Sequence, residues 1–201
     1  NNRNKLIAAY FNNEAPVKYF SYDNNGNLIS AKTQDNEWGY KYDENNNLTN
    51  ANFVYKDKYF NFEYKYNNLN YLENIIYPSK KEINFNPNIL GQVSQIGDFV
   101  RDIQYATKGD IVSYNYANGV KFNKLINSRY LPENFSYQLN NRNINVNYTY
   151  DILNNITKII NPDNSVLDLG YDNQDRLASV SGLNINGDIQ YDKFDNILKN
   201  S

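Results

Sequence analysis

The sequence predicts an all-β fold of antiparallel strands joined by a repeated tight turn. Three observations support this prediction: a seven-residue pattern occurs seven times, apolar residues precede it at a spacing of two, and 20 of the 201 residues are tyrosine. Each copy begins with Tyr, has Gly, Asn or Asp at its fifth position, and ends with Leu or Ile. The starting tyrosines are Tyr22, Tyr42, Tyr66, Tyr105, Tyr150, Tyr171 and Tyr191.

The spacing of the copies indicates a repeat protein. Neighbouring copies start 20 to 24 residues apart, except at two gaps of 39 and 45 residues, which are close to twice the shorter spacing. A degenerate copy is therefore expected inside each long gap. A period near 20 residues is typical of proteins whose small units bury apolar surface only by stacking on their neighbours.

The first element of each repeat is a strand that ends at the Tyr. Two residues before the Tyr, every copy has an apolar or aromatic residue, and a pair at spacing two marks one face of a strand. The Tyr and this residue are therefore expected on the same face of the sheet. These residues are Phe20, Tyr40, Tyr64, Ile103, Tyr148, Leu169 and Ile189.

The second element is a tight turn. Five copies have Asp directly after the Tyr, where its carboxylate is suited to accept a hydrogen bond from the backbone two residues on. Four residues after the Tyr, each copy has a residue type that tolerates a left-handed backbone, as Gly26 and Gly109 do. We expect Val at either glycine to destabilise its turn. The five aspartates are Asp23, Asp43, Asp151, Asp172 and Asp192.

The third element is a strand that starts at the Leu or Ile, six residues after the Tyr. Nine residues after the Tyr, six of the seven copies are again apolar, and this step of three breaks strict alternation. We interpret the step as a β-bulge or a bend. The first residues of these strands are Leu28, Leu48, Leu72, Ile111, Ile156, Leu177 and Ile197.

Dipeptides of Asn and Gly mark further turns. Asn25-Gly26, Asn118-Gly119 and Asn186-Gly187 each predict a two-residue hairpin turn, because this pair favours positive φ at both positions.

These residues resemble the YD repeat of the RHS family, which includes bacterial RHS polymorphic toxins, the shell subunits of Tc toxins and the animal teneurins. The best copies read YDNNGNL from Tyr22, YDENNNL from Tyr42, YDILNNITKIINPDN from Tyr150 and YDNQDRL from Tyr171. The segment 116–120, which contains Gly119, is similar to the YGNGV element of the family. The resemblance extends over residues 18–201.

The resemblance implies a long antiparallel β-ribbon that spirals as part of a larger hollow β-shell. In the toxin members the shell encloses a C-terminal toxic domain, and in teneurins it belongs to an extracellular adhesion receptor. The implied partners are the rest of the chain's own shell, an enclosed passenger domain, and secretion machinery or cell-surface partners. One departure concerns Arg, which the family usually has one residue before the Leu and which only Arg176 keeps here.

We expect one continuous repeat domain. Residues 1–17 are interpreted as an entry segment and residues 18–201 as the YD-repeat sheet, with irregular stretches at about 77–100 and 121–146, where prolines interrupt the pattern. The self-cleavage region and the toxin domain of the family have no match, so the chain is expected to be a fragment of a longer one.

Composition argues against several function classes. The net charge of −2 provides no basic field for nucleic acid. The absence of Cys and His removes thiol chemistry, disulfides, and the commonest general base and metal ligand. No apolar run approaches the roughly 18 residues that span a bilayer. We therefore expect no nucleic-acid partner, no membrane span, no cofactor and no metal.

Three groups of residues have alternative interpretations. Asp172 with Asp175, and Asp192 with Asp195, are carboxylate pairs of the kind used in acid–base catalysis, but all four occupy turn positions. Residues 23–27 offer oxygen ligands for calcium without the spacing of an EF-hand. Trp38 and the tyrosines within 55–66 are suited to glycan binding, although cross-strand packing is the favoured interpretation.

Two functional hypotheses follow. The first is a structural segment of an RHS/YD-repeat shell that encapsulates a passenger, a toxin, in a secreted or surface-delivered bacterial protein. The second is a cell-surface adhesin or a module that binds glycan or protein through its aromatic outer face. Both place the protein outside the cell, secreted or at the cell surface, and neither requires enzymatic activity, so we expect the chain not to be an enzyme.

Overall fold

Every regular element of the protein is a β-strand in the residues that the computed structural model describes, which are 5–10 and 16–200. The predicted all-β fold is confirmed. The strands form two antiparallel sheets, and within each sheet the spatial order of the strands follows the sequence. The chain divides between the sheets into two compact units, Asn1–Phe99 and Val100–Ser201.

Sheet 1 lies in the first unit and has eight strands. Each strand pairs with its neighbours in sequence, so the sheet is a meander of hairpins. Its strands are β1 (Ala8–Tyr10), β2 (Pro16–Tyr22), β3 (Leu28–Lys32), β4 (Asn36–Tyr42), β5 (Leu48–Tyr55), β6 (Lys58–Tyr66), β7 (Leu72–Ile76) and β8 (Glu82–Asn84).

Sheet 2 lies in the second unit and is a ten-stranded meander of the same kind. Its strands are β9 (Val100–Tyr105), β10 (Ile111–Tyr116), β11 (Lys121–Ile126), β12 (Pro132–Leu139), β13 (Arg142–Tyr150), β14 (Ile156–Ile160), β15 (Val166–Tyr171), β16 (Leu177–Gly182), β17 (Ile185–Tyr191) and β18 (Ile197–Asn200).

The strand boundaries follow the sequence repeat. Each of the seven starting tyrosines is the last residue of a strand, and the Leu or Ile six positions later is the first residue of the next strand. Strand β2, for example, ends at Tyr22, and β3 begins at Leu28. The predicted order of strand, turn and strand is confirmed.

The predicted bulge is also confirmed. Tyr22 pairs with Leu28 while Ser21 pairs with Ser30, so Ile29 is an extra residue in β3. The bulge explains why the apolar residues of this strand are three positions apart. The same shift of register makes one residue extra in each of the other copies: Thr49, Glu73, Val112, Thr157, Ala178 and Leu198.

One face of each sheet is apolar and the other is polar. In sheet 1, Trp38 pairs with Phe53, and Phe53 pairs with Phe60 on the next strand. The neighbouring positions of the same strands pair Asn52 with Asn61, and these side chains point to the opposite face. Alternation along the strands therefore separates an aromatic face from a face rich in Asn.

The apolar faces are only partly buried. Each unit contains a single sheet, whereas a sheet normally buries its apolar face against a second layer. Among the described residues, the only buried apolar side chains are those of Ile83, Ile103 and Phe122. In the described ranges, no helix has the length and apolar character needed to cross a membrane.

The structure differs from the sequence-based boundaries in two places. Residues 121–146, for which the sequence predicts irregular structure, form β11, β12 and the start of β13, with one shift of register between Leu125 and Ile126. Pro132 does not interrupt the sheet because it is the first residue of its strand. Sheet 1 begins before residue 18, since β2 starts at Pro16; residues 1–4 and 11–15 of the entry segment lie outside the described part.

The stretch 77–100 has less regular structure than the rest of the chain. It contains the three-residue strand β8, an isolated bridge between Pro87 and Val93, and the first residue of β9, and it is otherwise made of turns and irregular segments.

The prediction of a hairpin turn at Asn186-Gly187 is wrong. Both residues lie inside β17, and the turn is formed by Leu183 and Asn184, which have φ of 53° and 62°. The pairing of Gly182 with Ile185 leaves only two residues for this turn, so the register of β16 against β17 decides its position. The other two Asn-Gly dipeptides do lie in turns, but those turns have five residues.

Candidate functional site

The turn of the repeat has a fixed pattern of hydrogen bonds, and we call it the YD turn. In the first copy it comprises residues 23–27. The Asp23 amide donates to the Asn27 carbonyl (3.0 Å), and the Gly26 amide donates to the Asp23 carbonyl (3.1 Å). Gly26 has φ of 92°, in the left-handed region, which lets the chain leave the turn in register with the incoming strand.

Turns with this pair of bonds occur twelve times in the described residues. Seven belong to the Tyr-anchored copies, and five do not carry the sequence pattern. Two of these five start at Asn88 and Asn127, each 21 residues after the start of the preceding Tyr-anchored turn and inside one of the two long gaps, so the expected degenerate copies are present. The other three start at Tyr77, Tyr116 and Asn161, and the second of them contains Gly119.

The Asp of the YD turn closes the turn from inside. The Asp43 carboxylate accepts hydrogen bonds from the backbone amides of Asn45 (2.9 Å) and Asn47 (2.8 Å) and from the Asn47 side chain (3.0 Å). The Asp carboxylate therefore accepts the predicted hydrogen bond from the amide two residues later and a second one from the amide four residues later. Asp151, Asp172 and Asp192 accept from the amides at both distances, and Asp23 accepts from Asn27.

These hydrogen bonds lower the pKa of the Asp carboxyls. The side-chain amide of Asn47 is the largest cause for the pKa of Asp43, and the side chain of Arg176 is the largest for that of Asp172. Donors stabilise the ionised form of a carboxyl, so these groups accept hydrogen bonds and are poorly suited to donate protons.

In six of the seven copies, the repeat Tyr donates a hydrogen bond to a backbone carbonyl of a preceding strand or segment. The Tyr42 hydroxyl donates to the Leu28 carbonyl (2.9 Å), beside the bulge of the strand before it. Burial raises the pKa of Tyr42, which keeps the hydroxyl protonated and able to donate. Equivalent bonds join Tyr22 to Leu6, Tyr66 to Leu48, Tyr150 to Pro132, Tyr171 to Ile156 and Tyr191 to Leu177, at 2.7 to 3.0 Å.

Side chains at the turn edge make a second contact between repeats. The Asn27 side-chain amide donates to the Asp23 carboxylate in its own turn (3.0 Å) and to Oδ1 of Asn46 in the next YD turn (2.8 Å). The same pair of hydrogen bonds is made by Asn47, which donates to Asp43 and Asn70, and by Asn155, which donates to Asp151 and Asp175.

Arg176 makes this contact with a longer side chain. Its Nε donates to Asp172 (2.8 Å), its Nη1 donates to Asp195 (2.5 Å), and the guanidinium lies 4.3 Å above the centre of the Tyr191 ring. Asn therefore binds the equivalent two partners in three copies that Arg binds in the fourth, so a contact between repeats at this position does not require Arg.

The residues considered for acid–base catalysis and for calcium binding have structural roles in the turns. Asp172 accepts bonds within its own turn, and Asp175 and Asp195 accept bonds from the preceding turn. Both carboxylate oxygens of Asp23 already accept hydrogen bonds from Asn27. The described residues contain no cluster of three acidic side chains that could hold a metal ion.

The aromatic residues of sheet 1 pack mainly on one another. The rings of Trp38 and Phe53 stack with centroids 4.9 Å apart, and those of Phe53 and Phe60 with centroids 6.1 Å apart. In sheet 2, Tyr114 stacks on Phe122 at 4.6 Å. The favoured interpretation of cross-strand packing is confirmed for Trp38, which pairs and stacks with Phe53 of the neighbouring strand.

Comparison with known proteins shows similarity of fold. No protein-family profile and no curated protein matches the sequence. Solved structures do match, and a chain of the TcdB2–TccC3–Cdc42 crystal structure superimposes on 98% of this chain with a TM-score of 0.75 and 10% identity. The pore form of the Photorhabdus luminescens Tc holotoxin matches 98% with a TM-score of 0.76 and 11% identity. The crystal structure of TcdB2–TccC3 matches 94% with a TM-score of 0.73 and 11% identity.

The matched region is a small part of those proteins. This chain covers 14% of the first structure's chain and 13% of each of the other two. The fold of the chain is therefore that of a segment of the β-structure found in Tc toxin chains.

Proposed function

We propose that this chain is a structural segment of an RHS/YD-repeat shell that encapsulates a passenger domain, a toxin, in a secreted bacterial protein. The observation that carries the proposal is the fold similarity to Tc toxin chains over 98% of the sequence. The recurrence of the YD turn, with its Tyr and Asp in place, supports the same assignment from the residues.

The proposed role is mechanical. A shell wall must stay closed along its length. Neighbouring repeats of this chain are joined by the strand ladder, in six copies also by the Tyr hydroxyl, and in four copies also by the Asn or Arg side chain at the turn edge. Where all three contacts are present, opening the wall between two repeats breaks them together, which favours a continuous barrier over a flexible one.

The adhesin alternative has less support. A glycan-binding surface usually presents the flat faces of aromatic rings, whereas Phe53 has ring faces covered by Trp38 and Phe60. The opposite face of sheet 1, which carries Asn52 and Asn61, is polar.

The complete natural protein that contains this segment tests the proposed function. We would purify it from its native source, determine its intact mass and flanking sequence, and digest it with protease before and after unfolding in guanidinium chloride. We expect a product much longer than 201 residues, in which a C-terminal passenger resists protease until the shell unfolds. A passenger that is digested equally fast in the folded protein, or a product that carries a surface anchor and no passenger, would overturn the proposal.

A further inference from the structure

Two small residues create slots on the apolar face of sheet 1. Nine residues after the repeat Tyr, the first two copies have Ala31 and Ala51, whereas the third has Ile75. Each of these side chains lies between two larger ones on neighbouring strands. A methyl group in this position leaves space that the branched side chain of Ile75 occupies in the next copy.

Slot 1 has Ala31 as its floor. Phe20 on β2 and Trp38 on β4 pair with Ala31 from the two sides and form the walls, and the cavity measures 160 Å³. An apolar cavity of about 150 Å³ is large enough to hold a benzene ring. Slot 1 is therefore matched in size to one aromatic side chain.

Slot 2 has Ala51 as its floor. Tyr40 on β4 and Phe62 on β6 pair with Ala51 and form its walls, and the cavity measures 310 Å³. Trp38 lines both slots, so the two openings adjoin on the same face.

The slots lie on a diagonal of the sheet. Their floors are two strands apart and two residues apart along the strands, which corresponds to about 12 Å for strand spacings of about 4.8 Å and rises of about 3.4 Å per residue. Side chains four residues apart on one face of an extended peptide are separated by about 13 Å. One extended segment therefore reaches both slots.

A positive charge stands at the end of this diagonal. Lys18 lies two residues before Phe20 on β2, borders slot 1, is exposed, and forms no ion pair with any residue in the described ranges. An acidic residue two positions before the first aromatic residue of the bound segment would lie beside its ammonium group.

We propose that sheet 1 binds an extended segment of another polypeptide, with the pattern acidic, any, aromatic, any, small, any, aromatic. The aromatic side chains enter slots 1 and 2, the small residue crosses the ridge between Trp38 and Tyr40, and the acidic side chain pairs with Lys18. This inference concerns the surface of sheet 1 alone, so its test is independent of the proposed shell role.

The chain has its own reporter for the test, because Trp38 is its single tryptophan and lines both slots. The probe is the capped peptide Ser-Glu-Ser-Phe-Ser-Gly-Ser-Phe-Ser. It is titrated into the 201-residue chain at a concentration at which sedimentation shows the chain to be monomeric, while Trp38 emission is recorded. We expect saturable binding with a dissociation constant below about 1 mM, and calorimetry should give the same constant.

Variants of the chain distinguish specific binding in the two slots from nonspecific hydrophobic binding. Ala51→Leu fills slot 2 and should weaken binding about tenfold or more, whereas Asn50→Leu places the same side chain on the polar face of β5 and should leave affinity unchanged. Lys18→Glu should weaken binding about two- to fivefold, and a peptide with Lys in place of Glu should recover that loss. Circular dichroism checks that each variant remains folded.

Several results would overturn the proposal. These are the absence of saturable binding, equal affinity of Ala51→Leu and the unaltered chain, and equal binding of a peptide with adjacent Phe residues. A response of Trp38 to chitotriose without a response to the peptide would identify a glycan surface and would also overturn it.

Discussion

A single hydrogen bond distinguishes the two tyrosines on strand β4. Tyr42 donates to the Leu28 carbonyl, whereas the hydroxyl of Tyr40, two residues earlier on the same face, forms no hydrogen bond with a described residue. We predict that Tyr42→Phe lowers the free energy of unfolding by about 1 kcal/mol, the usual net value of such a bond, and that Tyr40→Phe changes it little. Urea unfolding measures both, and equal effects would show that the contact with Leu28 contributes nothing to stability.

The Asp carboxyls of the YD turns predict acid lability. Their pKa is lowered in the folded chain, so they stabilise it at pH above their unfolded pKa of about 3.9, and this contribution is lost as pH falls through the folded value. We expect the thermal midpoint to be level near neutral pH and to fall steeply below about pH 4.

The Asp43→Asn variant is the control for this pH dependence. Asn occupies the same position at Asn67, where its side-chain oxygen accepts from the amides of Leu69 and Tyr71 without titrating. The variant should therefore lose less stability than the unaltered chain between pH 5 and pH 2, as measured by thermal melts. Parallel melting curves for the two proteins would contradict a role of Asp43 in acid unfolding.

Adding a side chain to a glycine with positive φ in a turn should lower the free energy of unfolding. Gly109 has φ of 93° and open space where a Cβ would lie, so Gly109→Val tests backbone strain without a clash. We expect a loss of about 1–3 kcal/mol. Gly187 lies in β17 outside the left-handed region and is equally open, so Gly187→Val should be near neutral. Similar losses at both sites in chemical denaturation would refute the assignment of strain.

Between elements, Arg176 joins two YD turns at one edge of sheet 2. Asn155 makes the equivalent contact in the preceding copy, so Arg176→Asn should retain much of it, whereas Arg176→Leu removes the donors and leaves Asp172 and Asp195 facing each other's charge. We predict a lower urea midpoint for the Leu variant than for the Asn variant. The difference should shrink in 1 M salt, which screens charges, and a difference that grows with salt would contradict the prediction.

The elements differ in how far sequence predicts them. Strand ends and bulges at the Tyr and Leu positions were predictable because each position of the repeat has a distinct backbone requirement. The turns at residues 77–81 and 127–131 were not, because Lys80 and Tyr130 adopt φ of 65° although neither residue type favours it. A pattern that required only a polar residue five positions before the start of a strand, without a Tyr before the polar residue, would have predicted the turn at 127–131.

The contacts between repeats were the least predictable part of the candidate site. The Tyr42 hydroxyl binds a backbone carbonyl 14 residues away, and a backbone acceptor leaves no trace in residue types. The Asn27 contact was hidden for a different reason, since Asn is shorter than the Arg expected from the YD-repeat resemblance and still reaches both partners. Sequence periodicity thus indicated which residues recur, and the three-dimensional register was needed to show what they bind.

At the scale of the whole molecule, each sheet leaves one apolar face half-exposed. Three buried apolar side chains among the described residues are few for a domain that would be stable and soluble on its own, because burial of apolar area is the main source of folding free energy. A face of this kind is expected to be covered in the intact protein, whether by a passenger, by further shell or by a partner segment.

The isolated 201-residue chain should therefore bind hydrophobic dyes and self-associate. We predict strong enhancement of anilinonaphthalene sulfonate fluorescence and a sedimentation coefficient that rises with concentration. Replacing Phe53 and Phe60 on the apolar face by Ser should reduce both signals, whereas replacing Asn52 and Asn61, their neighbours on the polar face, by Ser should not, since the sheet is one layer with two different surfaces. A chain that remains monomeric and does not bind the dye would mean that its apolar faces are already covered, and the requirement for a covering partner would then disappear.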